Sequence, residues 1–348
     1  MQRVERFRPN VSPIMDGIDN LYTILSDKPS VALVKPVFDE SFRSLVDVFC
    51  ERGKHHWEVE YNKQDYKQIE PIKNKEMILT FSGGKDSIAT ALKYRDLGYN
   101  VHLYHMRHVN PSLADEWKSA QAVAELLDMP IYFDDIRFTG YHMYMEHPMK
   151  NMLIANGALS YGVREGITTN IAFGNYTNSF LDDNVFERCA GDCMDMWETY
   201  DTIIQRVIPD FKIQAVVEHL GETLNMLIDR DDLLNASMSC LCRHSLREYR
   251  RQWVKDKYGV DLFQMRCGSC YKCCAEYIYM ADHGKLKYSE GYYKYCLGQL
   301  LKVMRAEKIP AYDAVDIWDA FMFYDIDESK IADQIENAEV LKNTIKWK

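Results

Sequence analysis

Met77-Ile78-Leu79-Thr80-Phe81-Ser82-Gly83-Gly84-Lys85-Asp86-Ser87 is the stretch whose reading decides the fold. Its first five residues read as a strand. The next run, Ile88-Ala89-Thr90-Ala91-Leu92-Lys93-Tyr94, reads as the start of a helix. A strand, a glycine-bearing loop and a helix in that order aim backbone N–H groups and the positive end of a helix dipole at one point, which suits a phosphate. Gly83 and Gly84 let the backbone approach an anion closely. Ser82 and Ser87 add hydroxyl donors, Lys85 adds charge, and Asp86 can hold a magnesium ion on the phosphates. The spacing is S-G-G-x-D-S and differs from the G-x-x-x-x-G-K-[ST] phosphate loop.

Working outward, strand and helix patterns alternate. Asn100–His105 reads as a second strand, followed by a helix over 112–128 with Ala120, Val123, Ala124 and Leu127 on one face. Pro130–Phe133 is a third strand, 150–165 a helix, and Thr168–Gly174 a fourth strand. Met196, Trp197, Tyr200, Ile203, Ile204 and Val207 mark another helix, and the spacing predicts a further one over 215–228. Alternation of this kind implies an α/β fold, a doubly wound parallel sheet with helices on both faces. Ligands in such folds bind beyond the carboxyl ends of the strands. That edge collects the loop at Ser82, the segment His105–Asn110, the pair Asp134-Asp135 and the loop after Gly174. The long polar loop over 175–196 offers Asp182, Asp183 and Asp192 as candidates for magnesium or a polar substrate, against a plain reading as solvated turns.

The second informative stretch is Cys267-Gly268-Ser269-Cys270-Tyr271-Lys272-Cys273, with Cys240 and Cys242 upstream. Thiolates two residues apart can point at one ion from a tight turn, and a fourth ligand from a distant segment closes a tetrahedral zinc site. The apparent set is Cys267, Cys270, Cys273 and either Cys240 or Cys242, with His244 as an outside candidate and Cys274 as a buried neighbour. An iron–sulfur cluster can use similar spacing. The chain has 348 residues, ten of them cysteine. Its N-terminal residues lack an apolar signal region and no run approaches a membrane span, so clustered cysteines read as metal ligands in a cytosolic protein. A net charge of -10 argues against coating nucleic acid non-specifically.

The two motifs together resemble the PP-loop ATP pyrophosphatases, and within them the 7-cyano-7-deazaguanine synthases. Ser82–Ser87 matches the pyrophosphate loop of that superfamily, and Ser239-Cys240 with Cys267–Cys273 matches the synthases' C-terminal zinc site, which favours Cys240 over Cys242. Pro148-Met149-Lys150-Asn151 resembles their P-x-R-N element, and Gly191–Met196 their P-D-C-R-P element. The resemblance covers roughly residues 76 to 285. Lys150 and Met194 stand where the family has arginine, and the gap between Cys242 and Cys267 is longer than usual for it.

The resemblance implies a Rossmann-like sheet of the adenine nucleotide alpha hydrolase type, with ATP, Mg2+ and Zn2+ as cofactors. It implies an ATP-dependent adenylating ligase that cleaves ATP between its α- and β-phosphates, activates a carboxylate of a deazapurine or related base, and passes it to ammonia. Ser82, Gly83, Gly84, Lys85 and Ser87 would hold the pyrophosphate and Asp86 the magnesium. His105, Met106, Arg107 and Gly174 would meet the nucleotide, and Lys150, Asn151, Asp182 and Asp192 the substrate. Sulfur transfer to tRNA and a non-catalytic ATP-binding role in a larger assembly are the alternatives. Residues 1–75 read as an α+β extension that ends in a polar linker over 64–75, Ala275–His283 as a helix after the cysteines, and 286–348 as a helical tail whose aromatic residues suit a core or a homodimer interface.

Overall fold

The computed structural model describes residues 37–38, 40, 43–44, 46–47, 60–62, 68–108, 114–136, 150–175, 194–217, 220–238, 240 and 244–304. Asp182, Asp183, Asp192, Cys193, Ser239, Cys242 and everything beyond 304 lie outside them.

Two short strands, β1 (Val37–Phe38) and β2 (Glu60–Tyr61), pair in parallel on their own. The main sheet comprises β3 (Glu76–Thr80), β4 (Asn100–His108), β5 (Ile131–Ile136), β6 (Ile171–Asn175) and β7 (Gln214–Val217). Its order is β5-β4-β3-β6-β7, with every pairing parallel. The chain builds outward from β3 to β4 and β5, then returns to the other side of β3 with β6 and β7. The order therefore reverses between β3 and β6, and that crevice is where open parallel sheets bind ligands.

Nine helices accompany the sheet among the described residues: α1 (Lys85–Asp96), α2 (Ala114–Leu127), α3 (Lys150–Arg164), α4 (Met194–Ile204), α5 (Leu220–Leu227), α6 (Asp231–Ala236), α7 (His244–Tyr258), α8 (Tyr271–Asp282) and α9 (Glu290–Met304). Alternate residues of β3 separate two cores, as the pleat requires. Met77 and Leu79 join Val101 and Leu103 under α1, α2, α5, α6, α8 and α9. Ile78 joins Tyr104, Met106, Ile171 and Phe173 under α3 and α4. Strands buried on both faces read as continuous apolar runs, as Met77–Leu79 does. Each fully buried Leu, Ile or Phe contributes about 1.5–3 kcal/mol, so this central strand anchors the loop that follows it.

Three differences from the sequence reading have physical reasons. Residues 215–217 lie in a strand, and the helix starts only at Leu220. β-branched Val216 and Val217 pair with Gly174 and Asn175 of β6, and edge pairing overrides a short helical pattern. Helix α8 begins at Tyr271, inside the cysteine run and before Ala275, so Cys273 and Cys274 are helical. Residues 68–75, expected as a linker, are tied to the body. Ile69 N–H donates to Val207 O at 2.7 Å, Ile72 N–H to Thr169 Oγ1 at 3.2 Å and Asn74 Nδ2 to Ile167 O at 2.7 Å. No helix among the described residues is long and apolar enough to cross a membrane.

Candidate functional site

The chain leaves β3 through Phe81, whose N–H donates to Tyr104 O at 2.8 Å. It then turns through Ser82 and Gly83 into α1, with Gly84 as the N-cap residue. Gly83 has φ +75°, a conformation that costs any residue with a β-carbon. It also lies against α2, where an added β-carbon would fall 2.7 Å from Ala120 N and Cα. Hydroxyls close the turn. Gly84 N–H donates to Ser82 Oγ at 3.2 Å, Ser87 Oγ donates to Gly84 O at 2.9 Å, and the two serine hydroxyls lie 3.3 Å apart. The first helical bond runs from Ile88 N–H to Gly84 O at 3.1 Å, so the amides of the first turn precede the helical ladder.

Lys85 and Asp86 put both signs of charge in this turn. Lys85 is buried, with Nζ 3.6 Å from Asp86 Oδ2. The other carboxylate oxygen, Asp86 Oδ1, is buried and has no hydrogen-bond partner among the described residues. A buried anionic oxygen without a donor is costly unless a cation completes it. The position therefore fits a divalent ion of the magnesium type, which takes one or two carboxylates and completes its shell with phosphate and water.

Neighbouring strand ends complete the edge. Gly174 of β6 packs against α1, and a β-carbon there would fall 2.5 Å from Thr90 Oγ1 and 3.3 Å from Asp86 O. Thr90 Oγ1 itself donates to Asp86 O at 2.9 Å, so Gly174 sets how closely α1 approaches β6. His105 is buried, with Nδ1 2.7 Å from Phe81 O. A carbonyl only accepts, so Nδ1 carries the proton and Nε2 is the acceptor in the neutral ring. Met106 faces the other core, where its Cε would meet a β-carbon at Gly157 within 2.8 Å. Arg107 pairs with Asp135 in the sheet register. Asp134 is buried and accepts from Tyr104 OH at 2.6 Å. Lys150 and Asn151 open α3. A hollow of 540 Å³ lies on the outer strand, lined by Gln121, Glu125, Asp128, Ile131 and Tyr132. β4 separates it from β3, and it has no part in the loop.

Cys240, Cys267, Cys270 and Cys273 come together from two segments, with all four sulfurs within 4.8 Å of one another. Cys240 Sγ to Cys270 Sγ is 4.0 Å and Cys267 Sγ to Cys273 Sγ is 3.9 Å. Four sulfurs about 2.3 Å from one zinc ion would lie about 3.8 Å apart in a tetrahedron, so the set fits such an ion. The turn is built for it. Gly268 has φ +69°, and the amides of Ser269 and Cys270 donate to Cys267 Sγ at 3.4 and 3.3 Å. Tyr292 OH holds Gly268 O at 2.7 Å. Hydrogen bonding with Cys240, then with Cys270 and Cys273, holds the Cys267 thiol well below its ordinary value. Cys270 and Cys273 are pushed up, chiefly by bonding to Cys240. A bound cation lifts that restriction and lets all four ionise. Cys274 and Cys296 are also buried but lie outside the four. His244 begins α7.

The sequence reading missed the connection between the two sites. Met238 N–H donates to Gly83 O at 3.2 Å, and Ser119 Oγ donates to Ala236 O at 2.6 Å. The first joins two backbone groups and the second ends on a backbone carbonyl, so neither leaves a paired side-chain signature; only the nearness of Ser237 to Cys240 in sequence hints at them.

No protein-family model matches the chain. No curated protein matches it. Among solved structures, one described as a predicted subunit of a tRNA methyltransferase from Methanocaldococcus jannaschii is similar at a TM-score of 0.28 and 23% identity, over 44% of this chain and 72% of that one. Overlap at that level does not define a shared fold.

Proposed function

We propose that the chain is a PP-loop ATP pyrophosphatase with a Rossmann-like core of the adenine nucleotide alpha hydrolase type. It works as an adenylating ligase on a carboxylate of a deazapurine or related base. The observation that supports this most is the Ser82–Ser87 turn. It sits at the carboxyl end of the central strand, beside the strand-order reversal, with the two serine hydroxyls 3.3 Å apart and Lys85 and Asp86 opening the helix that follows.

In this reading Ser82, Gly83, Gly84, Lys85 and Ser87 bind the pyrophosphate part of ATP, and the strand end at His105–Arg107 with Gly174 lies toward the rest of the nucleotide. Mg2+ held by Asp86 would neutralise charge on the phosphates. A substrate carboxylate attacks the α-phosphorus, the α–β bridging bond breaks and pyrophosphate leaves. Carboxylates are already anionic, so no general base is required. Ammonia then attacks the acyl carbon, AMP departs with the C–O electron pair, and the excess proton goes to solvent. Most of the rate comes from fixed donors around the leaving phosphates. Lys150 and Asn151, at the start of α3, belong to the acceptor side, where a helix N-terminus favours a carboxylate. Asp182 and Asp192 are proposed on the same side. Zinc on Cys240, Cys267, Cys270 and Cys273 is structural, a closed set of four thiolates.

The test is incubation with ATP, Mg2+, ammonia and a panel of carboxylated deazapurines, reading AMP release. Release that depends on one of these acceptors supports the proposal. AMP release with none of them would remove the acceptor class.

A further inference from the structure

Beside the cysteines stands a buried ion pair that metal binding alone does not explain. Arg266, which precedes Cys267, is 2% exposed and pairs with Glu276 of α8 at 2.7 Å. Its guanidinium also donates to the Ser237 carbonyl, and to Ser237 Oγ at 3.1 Å. Ser237 is fully buried. Its neighbours are bonded to other partners: Ala236 O accepts from Ser119 of α2, and Met238 N–H donates to Gly83 O. Three consecutive residues, Ala236, Ser237 and Met238, thus hold α2, the guanidinium and the phosphate loop in turn.

Peptide planarity carries the effect into the site. The C=O of Gly83 and the N–H of Gly84 belong to one trans peptide and point in opposite directions. Fixing the carbonyl on Met238 fixes the Gly84 N–H, which is directed to Ser82 Oγ at 3.2 Å. A guanidinium fork can serve Glu276 and both Ser237 oxygens at once, whereas an ammonium cannot reproduce that planar geometry.

We infer that Arg266 is a positioning residue for the nucleotide loop: through Ser237 and Met238 it sets the Gly83–Gly84 peptide, whose N–H in turn holds the Ser82 hydroxyl of that loop. The inference rests on the nucleotide-binding reading of that loop and adds a residue from outside the loop itself.

The test is equilibrium titration of metal-loaded protein with α,β-methylene ATP and Mg2+. Arg266→Lys is expected to weaken binding about tenfold, the loss of a charge-assisted buried bond, with the metal content unchanged. Ser237→Ala, which keeps the carbonyl contact and loses the hydroxyl, is expected to weaken it about threefold, and carries the test alone if Arg266→Lys fails to fold. Tyr292→Phe cuts a bond on another side of the same cysteine turn and is expected to leave nucleotide affinity at the wild-type value. A merely structural role would lower the melting temperature in all three without separating their affinities. Metal-replete Arg266→Lys or Ser237→Ala that binds the analogue as tightly as wild type overturns the inference while leaving the nucleotide reading intact. Wild-type protein that binds no analogue overturns both.

Discussion

The backbone of Gly83 rests on the backbone of Ala120, so close that a β-carbon on the first would fall 2.7 Å from the N and Cα of the second. The Ser82–Ser87 turn is therefore seated on α2 as well as carried by β3. Gly83→Ala meets both a φ of +75° and a backbone contact that cannot swing aside. We expect it to cost about 1–3 kcal/mol of stability and most nucleotide affinity, measured by thermal melting and by analogue titration. Wild-type binding in Gly83→Ala would show that the turn does not depend on that seat.

Asp86→Asn keeps the shape of the side chain and removes its charge. Because Asp86 Oδ1 is buried without a partner among the described residues, the substitution should leave the fold intact. Mg2+-dependent turnover of ATP is expected to fall by about 100-fold. Steady-state rates across a magnesium titration check this; an unchanged magnesium dependence would place the ion elsewhere.

Removing one of the four clustered thiols should differ from removing a buried thiol beside them. Cys273→Ser is expected to lose its metal on dialysis, because a closed tetrahedral site needs all four ligands. Cys274→Ala is expected to keep one ion per chain and to lose about 1 kcal/mol to the cavity it leaves. Elemental analysis of the two variants reads the outcome. The same measurement on wild type separates zinc from iron.

Burial pushes the Asp201 carboxyl up to about 6, against the Ile213 amide that donates to it at 2.9 Å. A carboxyl with a raised folded pKa takes up its proton in the folded state first. Its contribution to stability is thus fully present below about pH 4 and is lost as pH rises through about 6. Asp201→Asn keeps an acceptor for Ile213 and cannot ionise. We expect the variant to gain about 2 kcal/mol relative to wild type at pH 7.5, with the gain shrinking toward pH 4.5. Denaturant melts across that range test it, and a difference independent of pH would argue against a buried, titrating carboxyl.

Much of the sheet is legible in the sequence because β3 is central. Met77–Leu79 face apolar cores on both sides, which makes a continuous apolar run, and Gly83 after it marks where the chain must turn without a β-carbon. The cysteine turn is legible for a similar reason, since its spacing records its geometry. Strand β7 is not, because Gln214–Val217 is only four residues long and its pairing with β6 is tertiary information. The start of α8 is hidden because the cysteine turn and the first helical turn share residues. The bond from Met238 to Gly83 is hidden too: any residue except proline offers that N–H. Gly174 is flagged by its place at a strand end, and the structure gives it a packing task against Thr90.

Everything proposed for the loop depends on which bond of ATP is broken. The direct measurement is phosphorus NMR of the products after incubation of the metal-loaded protein with ATP, Mg2+, ammonia and the carboxylate acceptor. AMP and pyrophosphate in equal amounts are expected from attack at the α-phosphorus. ADP and orthophosphate would mean attack at the γ-phosphorus, and the pyrophosphatase reading of Ser82–Ser87 would fall.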